Sequence, residues 1–175
     1  MTTFVKGLII AAVHVGLVAS LGAKLLYDRA NRPRVWVRTA PYDPNLPIRG
    51  RYVSLQIAVE PRGVREPKTG SKWEPPQSVT LRLENNRLIA EAESQIAALN
   101  SSDLHVLFID RRGEKLAVLD RPVAFFIPEH IPDPSIRTGG EELWVEVTIP
   151  RKGPPRPIQL GVKQGDGPIV PLEIR

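Results

Sequence analysis

The sequence contains no cysteine among its 175 residues. Without a thiol, the chain has no disulfide framework, no thiolate zinc site and no cysteine nucleophile. It also lacks a glycine-rich phosphate loop, a Gly-x-Ser-x-Gly elbow and a Ser-x-x-Lys pair. These absences predict a protein that is not an enzyme and that carries no cofactor.

A strong charge of one sign is also missing, because 24 Lys and Arg residues oppose 19 Asp and Glu residues. The net charge of +5 is spread over interleaved basic and acidic residues, as in the segment 62–74. Nucleic-acid binding requires a basic stripe, usually with aromatic residues beside it, and no such stripe occurs. We therefore predict no nucleic-acid partner.

Histidine is scarce, with three in the chain. Glu129, His130 and Asp133 offer two carboxylates and one imidazole, but they lack the spacing of a known metal motif, and prolines surround them. His105 begins an apolar strand, and its imidazole is expected to be hydrogen-bonded in the core or at a sheet edge. We predict no metal site.

One long apolar run is present, from residue 7 to residue 23, and it holds no formal charge. Lys6 and Lys24 flank it and can snorkel, which extends the apolar length to about 20–24 residues, enough for a bilayer core. We predict a membrane-spanning helix and link over residues 1–30 and a β domain over residues 31–175. A cleaved signal peptide is the first alternative, although Leu21 occupies a position of the cleavage site that requires a small residue. A buried core helix is disfavoured because the segment is apolar all round.

Within this helix, small residues at Gly16, Ser20 and Gly22 are candidate contacts for a partner helix in the lipid bilayer. His14 is a polar residue inside the span and is therefore a functional candidate. Its alternative role is structural, as a donor to a backbone carbonyl or a contact to a partner helix. The structural role is favoured because no second ionisable residue lies in the span to form a relay.

The basic residues that follow the span and its N-terminal position predict opposite orientations of the helix in the membrane. Five basic residues follow the span, and taken literally they place the large domain in the cytoplasm: Lys24, Arg29, Arg32, Arg34 and Arg38. The N-terminal position of the span instead resembles a signal anchor. We predict an extracytoplasmic domain, because part of this charge is expected to fold into the first strand.

After the helix, short alternating or apolar segments indicate about ten strands, and all 18 prolines lie at Pro33 or later. The predicted segments are 34–38, 52–59, a hairpin within 78–93, 104–110, 115–119, 123–127, 143–149, 157–162 and 169–174. A short helix within 90–99 is an alternative. The pattern predicts a mainly β protein with a compact antiparallel β-sandwich or partly open β-barrel.

Trp73 is the one large apolar residue of the loop 60–77. In the structural interpretation, Trp73 packs on the domain and orders this loop, as single aromatic residues often do. Its functional role would be that of an exposed anchor for a protein partner.

The turn between the first two strands is stiffened by Pro41, Pro44 and Pro47, with Asp43 between the first two prolines. Each proline fixes its own φ and biases the preceding residue away from helix. The second strand should therefore begin at a preset angle.

That second strand opens with Gly50, Tyr52 and Leu55 in a Gly-x-Tyr-x-x-Leu order. With the upstream Pro-x-Asp-Pro segment and the downstream segment 126–129, it resembles the signature of the GDYXXLXY family, bacterial proteins that are usually membrane-anchored. Arg51 and Ile57 depart from the motif's Asp and final Tyr. The resemblance spans most of the chain and implies a topology but no mechanism. We assign Gly50, Tyr52 and Leu55 to fold specification, with the Tyr52 hydroxyl bonded to backbone at a sheet corner.

These observations predict a single-pass protein of a bacterial inner membrane whose β domain docks on a membrane or envelope protein as an accessory or assembly subunit. The alternative is a small-ligand-binding domain or hydrolase with a pocket near the 41–52 turn. Such a pocket would need convergent polar groups.

Overall fold

The computed structural model describes residues 2–41, 52–66, 77–93, 104–111, 113–128, 130–131, 133–134, 140–150 and 153–174. The chain divides into two compact units, Met1–Arg32 and Pro33–Arg175. The first unit is a single helix, and the second is built from strands.

Helix α1 spans Thr3–Asn31, 29 residues, with no residue buried. At about 1.5 Å per residue it exceeds the roughly 30 Å of a hydrocarbon core. Its most apolar window has a mean hydropathy of 2.0, so length and composition suffice to cross a membrane. At its end, Arg32 donates through its backbone N–H to the Asp28 carbonyl and bonds the Asp28 carboxylate at 3.2 Å. These bonds satisfy a carbonyl that the helix end leaves open.

Eleven strands follow within the described residues: β1 (Arg34–Pro41), β2 (Tyr52–Ile57), β3 (Glu60–Arg62), β4 (Gln77–Glu84), β5 (Arg87–Ala92), β6 (His105–Arg111), β7 (Glu114–Leu119), β8 (Val123–Phe126), β9 (Glu141–Thr148), β10 (Arg156–Gln164) and β11 (Val170–Pro171). They form a six-stranded sheet in the order β11-β10-β9-β1-β2-β8 and a five-stranded sheet in the order β3-β5-β4-β6-β7. The predicted mainly β fold with one N-terminal apolar helix is confirmed.

The two sheets are joined by an almost continuous strand. β2 leaves the first sheet at Ile57, Ala58 forms a bridge to Val118 of β7, and the Val59 N–H donates to the Ala117 carbonyl at 3.0 Å. β3 begins one residue later at the other end of the second sheet. That sheet therefore curls back onto the chain that feeds its own first strand, as in a partly open barrel.

One pair of strands departs from the predicted antiparallel arrangement. β3 and β5 run parallel, with Glu60 opposite Ile89 and Arg62 opposite Glu91. Only two residues separate β2 from β3, so the chain enters the second sheet without a turn that would reverse it. A parallel neighbour results from this direct crossing.

The core follows the period-two pattern of the strands. On β2 and its continuation, Val53, Leu55, Ile57 and Val59 are all buried, as the alternation predicts. They share one apolar cluster with buried residues of the other sheet elements, among them Val145, Leu160, Val79, Leu88 and Leu119. Gln56, expected on the opposite face, is also buried.

Local signals placed most strand boundaries correctly. The hairpin of β4 and β5 turns through Asn85 and Asn86, which have φ values of 48° and 60°. Strand β5 covers residues 90–92, so the helix alternative is wrong for these residues. At the C-terminus, a predicted strand over 169–174 is reduced to Val170–Pro171, because Pro168 and Pro171 have no N–H to donate to a ladder.

Candidate functional site

The motif residues occupy both sides of β2. Leu55 is fully buried and lies opposite Pro41 of β1. Tyr52 lies opposite Phe126 of β8, and these two aromatic residues are 37% and 72% exposed. The described structure thus places Tyr52 at the surface beside the last strand of the sheet. Asp43, Pro44 and Gly50 lie outside the described residues, as does Trp73.

The helix candidates differ in their positions. Gly16 and Ser20 are four residues apart and share a face, whereas Gly22 lies about 120° around the helix from Gly16 at 3.6 residues per turn. Ser20 donates its hydroxyl to the Leu17 carbonyl at 2.8 Å. His14 bonds through Nδ1 to the Ile10 carbonyl, also at 2.8 Å. The contact of His14 matches its expected structural role.

The metal candidates do not converge within the described residues. His105 bonds Asp120 through its ring Nδ1 and through its backbone N–H, each at 3.0 Å. His130 and Asp133 are described, but Glu129 is not. Among the residues that the structure describes, no group of three His, Cys, Asp or Glu side chains is placed to hold a metal ion.

An open groove of about 600 Å³ lies on the β unit. Its lining comes from β1, β9 and the segment 58–60, from the β4–β5 turn and the start of β5, and from Leu116 of β7 and Ile169. Its aromatic walls are Trp36 and Trp144, and its polar lining includes Arg38, Glu60, Asn86 and Arg87. The volume falls within the roughly 300–1,000 Å³ typical of ligand sites.

Both tryptophan rings are held in place. Trp36 lies against Gly161 of β10, where a Cβ atom would come within 2.8 Å of its ring. Trp144 donates its indole N–H to Glu142 at 3.3 Å, and the Lys163 ammonium lies 5.4 Å from the centroid of its ring. That distance is within the roughly 6 Å range of a cation–π contact.

The charged groups of the groove are paired. Arg38 bonds Glu114 at 3.0 Å and Glu142 at 2.9 Å, so a chain of contacts runs from Glu114 to Trp144. Arg87 bonds Glu60 at 3.0 Å. The local charges of these groups therefore offset one another.

The turn at the rim of the groove has a two-residue loop with positive φ at both positions, which defines a type I′ hairpin. Asparagine tolerates this left-handed backbone better than most residues. Glu84 lies just before the turn, and Arg62 of β3 donates to both of its carboxylate oxygens, at 2.9 and 2.7 Å. These hydrogen bonds, aided by the charge of Arg62, lower the pKa of Glu84.

Trp36 and Trp144 were not among the site residues predicted from the sequence. A signal was present, since each alternates with buried valines, Val35 and Val37 in β1 and Val145 in β9. Strand period two therefore puts both tryptophans on the face opposite the core. Their proximity follows from the pairing of β1 with β9, where Arg38 lies opposite Trp144.

The fold and groove define a class: a two-sheet β protein with an apolar N-terminal helix and an aromatic groove on its β unit. The family model described as GDYXXLXY protein matches residues 14–160. The chain therefore belongs to the GDYXXLXY family. No curated protein and no solved structure matched it in the other comparisons.

Proposed function

We propose that this protein is a single-pass, non-enzymatic accessory or assembly subunit of a bacterial inner membrane. In this proposal α1 crosses the bilayer and the β unit docks on a membrane or envelope protein from the extracytoplasmic side. Tethering by the helix raises the effective concentration of the β unit near such a partner. The observation that carries the docking role is the edge strand β8, which ends the six-stranded sheet of the described residues.

Four strands end the two sheets within the described part of the chain, and three of them bear groups that discourage pairing with another strand. β3 carries Glu60, Pro61 and Arg62, β7 begins with Glu114 and Lys115, and β11 ends with Pro171. Charges and prolines are the usual means by which proteins block their sheet edges.

β8 has neither charge nor proline, since its sequence is Val-Ala-Phe-Phe. Its Phe126 is 72% exposed beside Tyr52 of the family motif. Exposed aromatic residues next to an open strand edge suit strand addition, in which backbone hydrogen bonds give affinity and side chains give specificity. This arrangement supports a protein partner that contributes an extended segment.

The proposed orientation is supported by the place of two of the basic residues that follow the span. Arg34 and Arg38 lie in strand β1 and therefore belong to the β unit rather than to a free flank of the helix, as the sequence predicted.

Site-specific photocrosslinking tests the docking role. A photoreactive phenylalanine analogue replaces Phe126 in the full chain in cells, and the matched control carries it at Val170, which is 60% exposed at the opposite edge of the same sheet. We expect one discrete protein, identified by mass spectrometry, to crosslink at position 126 and not at 170. Tyr52→Ser should reduce that crosslink. Equal crosslinking at both positions, or none at 126, contradicts the proposal.

A second candidate function, small-ligand binding, is favoured by the groove. Its described lining lies along β1, β9 and the β4–β5 turn. A ligand pocket was predicted near the 41–52 turn, of which residues 42–51 lie outside the described residues.

A further inference from the structure

We propose that the groove binds an uncharged oligosaccharide, with sugar rings stacked on Trp36 and Trp144. This site is separate from the edge of β8, and the proposed docking role does not use it. Two properties of the groove point to this ligand class: its ordered aromatic walls and its balanced charge.

The aromatic walls suit the apolar C–H faces of pyranose rings. Trp36 is fixed against Gly161, and Trp144 is fixed by its bond to Glu142 and by Lys163. Because these rings are ordered before a ligand arrives, binding costs little side-chain entropy. A sugar ring has an apolar face and several hydroxyl groups. The aromatic surface would contact the apolar face, and the surrounding polar groups would bond the hydroxyls.

The polar lining suits hydroxyl groups rather than ions. Arg38 is matched by Glu114 and Glu142, and Arg87 is matched by Glu60. Such pairs leave lone pairs and N–H groups for hydroxyls but present little net charge to attract an ionic ligand. Asn86 adds an amide to the lining, which can both donate and accept.

A bound peptide strand fits most of this groove poorly. Of the strands that line it, β1 lies between β9 and β2, β9 lies between β10 and β1, and β5 lies between β3 and β4. Their backbone groups are already paired on both sides. Glu60 and Leu116 of the lining belong to β3 and β7, which end their sheet and carry charged residues that discourage strand addition.

Tryptophan fluorescence of the full chain in detergent tests this proposal. The chain has three tryptophans, so a Trp73→Phe background restricts the signal to the two in the groove. The probes are cellohexaose, chitohexaose and maltohexaose, with a neutral hexapeptide as the competing class. We expect saturable binding of at least one hexasaccharide, with little dependence on salt because the groove is charge-balanced.

Two groove variants and one control complete the test. Trp144→Leu should weaken binding at least about tenfold through loss of stacking area. Arg87→Gln should weaken it about threefold or more through loss of a charged hydrogen-bond donor; the Arg87 side chain is 69% exposed, so this change spares the core. Phe126→Ser, on the proposed docking edge, should leave it unchanged.

Three results overturn the proposal: binding of none of the three hexasaccharides in the millimolar range, preferential binding of the peptide, or affinity that neither groove variant alters. Because the crosslinking test uses Phe126 and this test uses Trp144 and Arg87, failure of either proposal is distinguishable from failure of the other.

Discussion

The ring of Trp36 lies against the backbone of Gly161, where a Cβ atom would come within 2.8 Å of ring atom Cζ3. The same Cβ would also come within 2.8 Å of the Ile169 side chain. Gly161→Ala should therefore lower the free energy of unfolding by about 1–3 kcal/mol, the usual cost of overpacking. Chemical denaturation of the full chain in detergent measures this change.

A double-mutant cycle provides the control for that prediction. If the ring of Trp36 causes the clash, Gly161→Ala should cost less in a Trp36→Leu background, by about 1 kcal/mol or more of coupling. Strictly additive effects would mean that the glycine matters for another reason.

The turn at Asn85 and Asn86 makes a second prediction. Asn86→Gly should keep stability within about 0.5 kcal/mol, because Asn-Gly is the preferred type I′ pair. Asn86→Val should cost about 1–2 kcal/mol, because a β-branched residue resists the left-handed backbone. Thermal unfolding of both variants measures the difference.

Ala124, exposed on β8, is the matched strand control for this pair of substitutions. There the order should reverse, with valine tolerated better than glycine, since strands favour β-branched residues. Glycine and valine ranked alike at positions 86 and 124 would contradict the turn assignment.

Local patterns predicted much of this fold. The alternation Val53, Leu55, Ile57 marked one buried face, and the Asn85–Asn86 pair between two strand-forming segments marked a hairpin. Both signals are short-range, because they depend on the pleat of one strand or the dihedral angles of two residues. The helix was also visible from composition alone.

Features made by distant segments were not predicted. The alternation around Trp36 and around Trp144 assigns each a face, but it does not state that β1 and β9 are neighbours. The direct crossing from β2 into β3 likewise depends on a partner strand, β5, that lies well downstream. The groove needs both the pairing of β1 with β9 and the crossing from β2 into β3, and neither can be read from a local stretch of sequence.

The motif residues Leu55 and Tyr52 should respond differently to mutation. Leu55 is fully buried, so Leu55→Ala should cost about 2–5 kcal/mol, a large share of the roughly 5–15 kcal/mol that stabilises a typical domain. Tyr52→Phe, at a partly exposed site, should change stability by less than about 0.5 kcal/mol. Denaturation midpoints in detergent check both. A large loss for Tyr52→Phe would show that its hydroxyl serves the fold, as the sequence analysis expected.

The Arg62–Glu84 pair predicts a pH dependence. Hydrogen bonds from Arg62 lower the pKa of Glu84 in the folded state, so the pair stabilises the fold above the unfolded pKa of glutamate, about 4.3. That stabilisation is lost as the pH falls through the lowered folded pKa. The wild-type chain and Glu84→Gln should therefore differ at neutral pH and converge in acid.

Urea midpoints measured across the acid range at low salt test this convergence, and added salt should shrink the difference because both groups are exposed. In a parallel NMR titration, Arg62→Met should raise the pKa of Glu84 relative to the wild-type chain. A constant gap between wild type and Glu84→Gln at every pH would contradict the assigned role of the pair.

The central proposal, a membrane-spanning α1 with the β unit outside the cytoplasm, is tested most directly by cysteine labelling. The chain has no cysteine, so Val170→Cys and Thr2→Cys each supply a single thiol, one on the β unit and one before the span. In spheroplasts treated with a membrane-impermeant maleimide, we predict that residue 170 reacts at once, that residue 2 reacts only after lysis, and that both variants stay in the membrane fraction. Labelling in the reverse order, or recovery of the full-length chain in the soluble fraction, would contradict it.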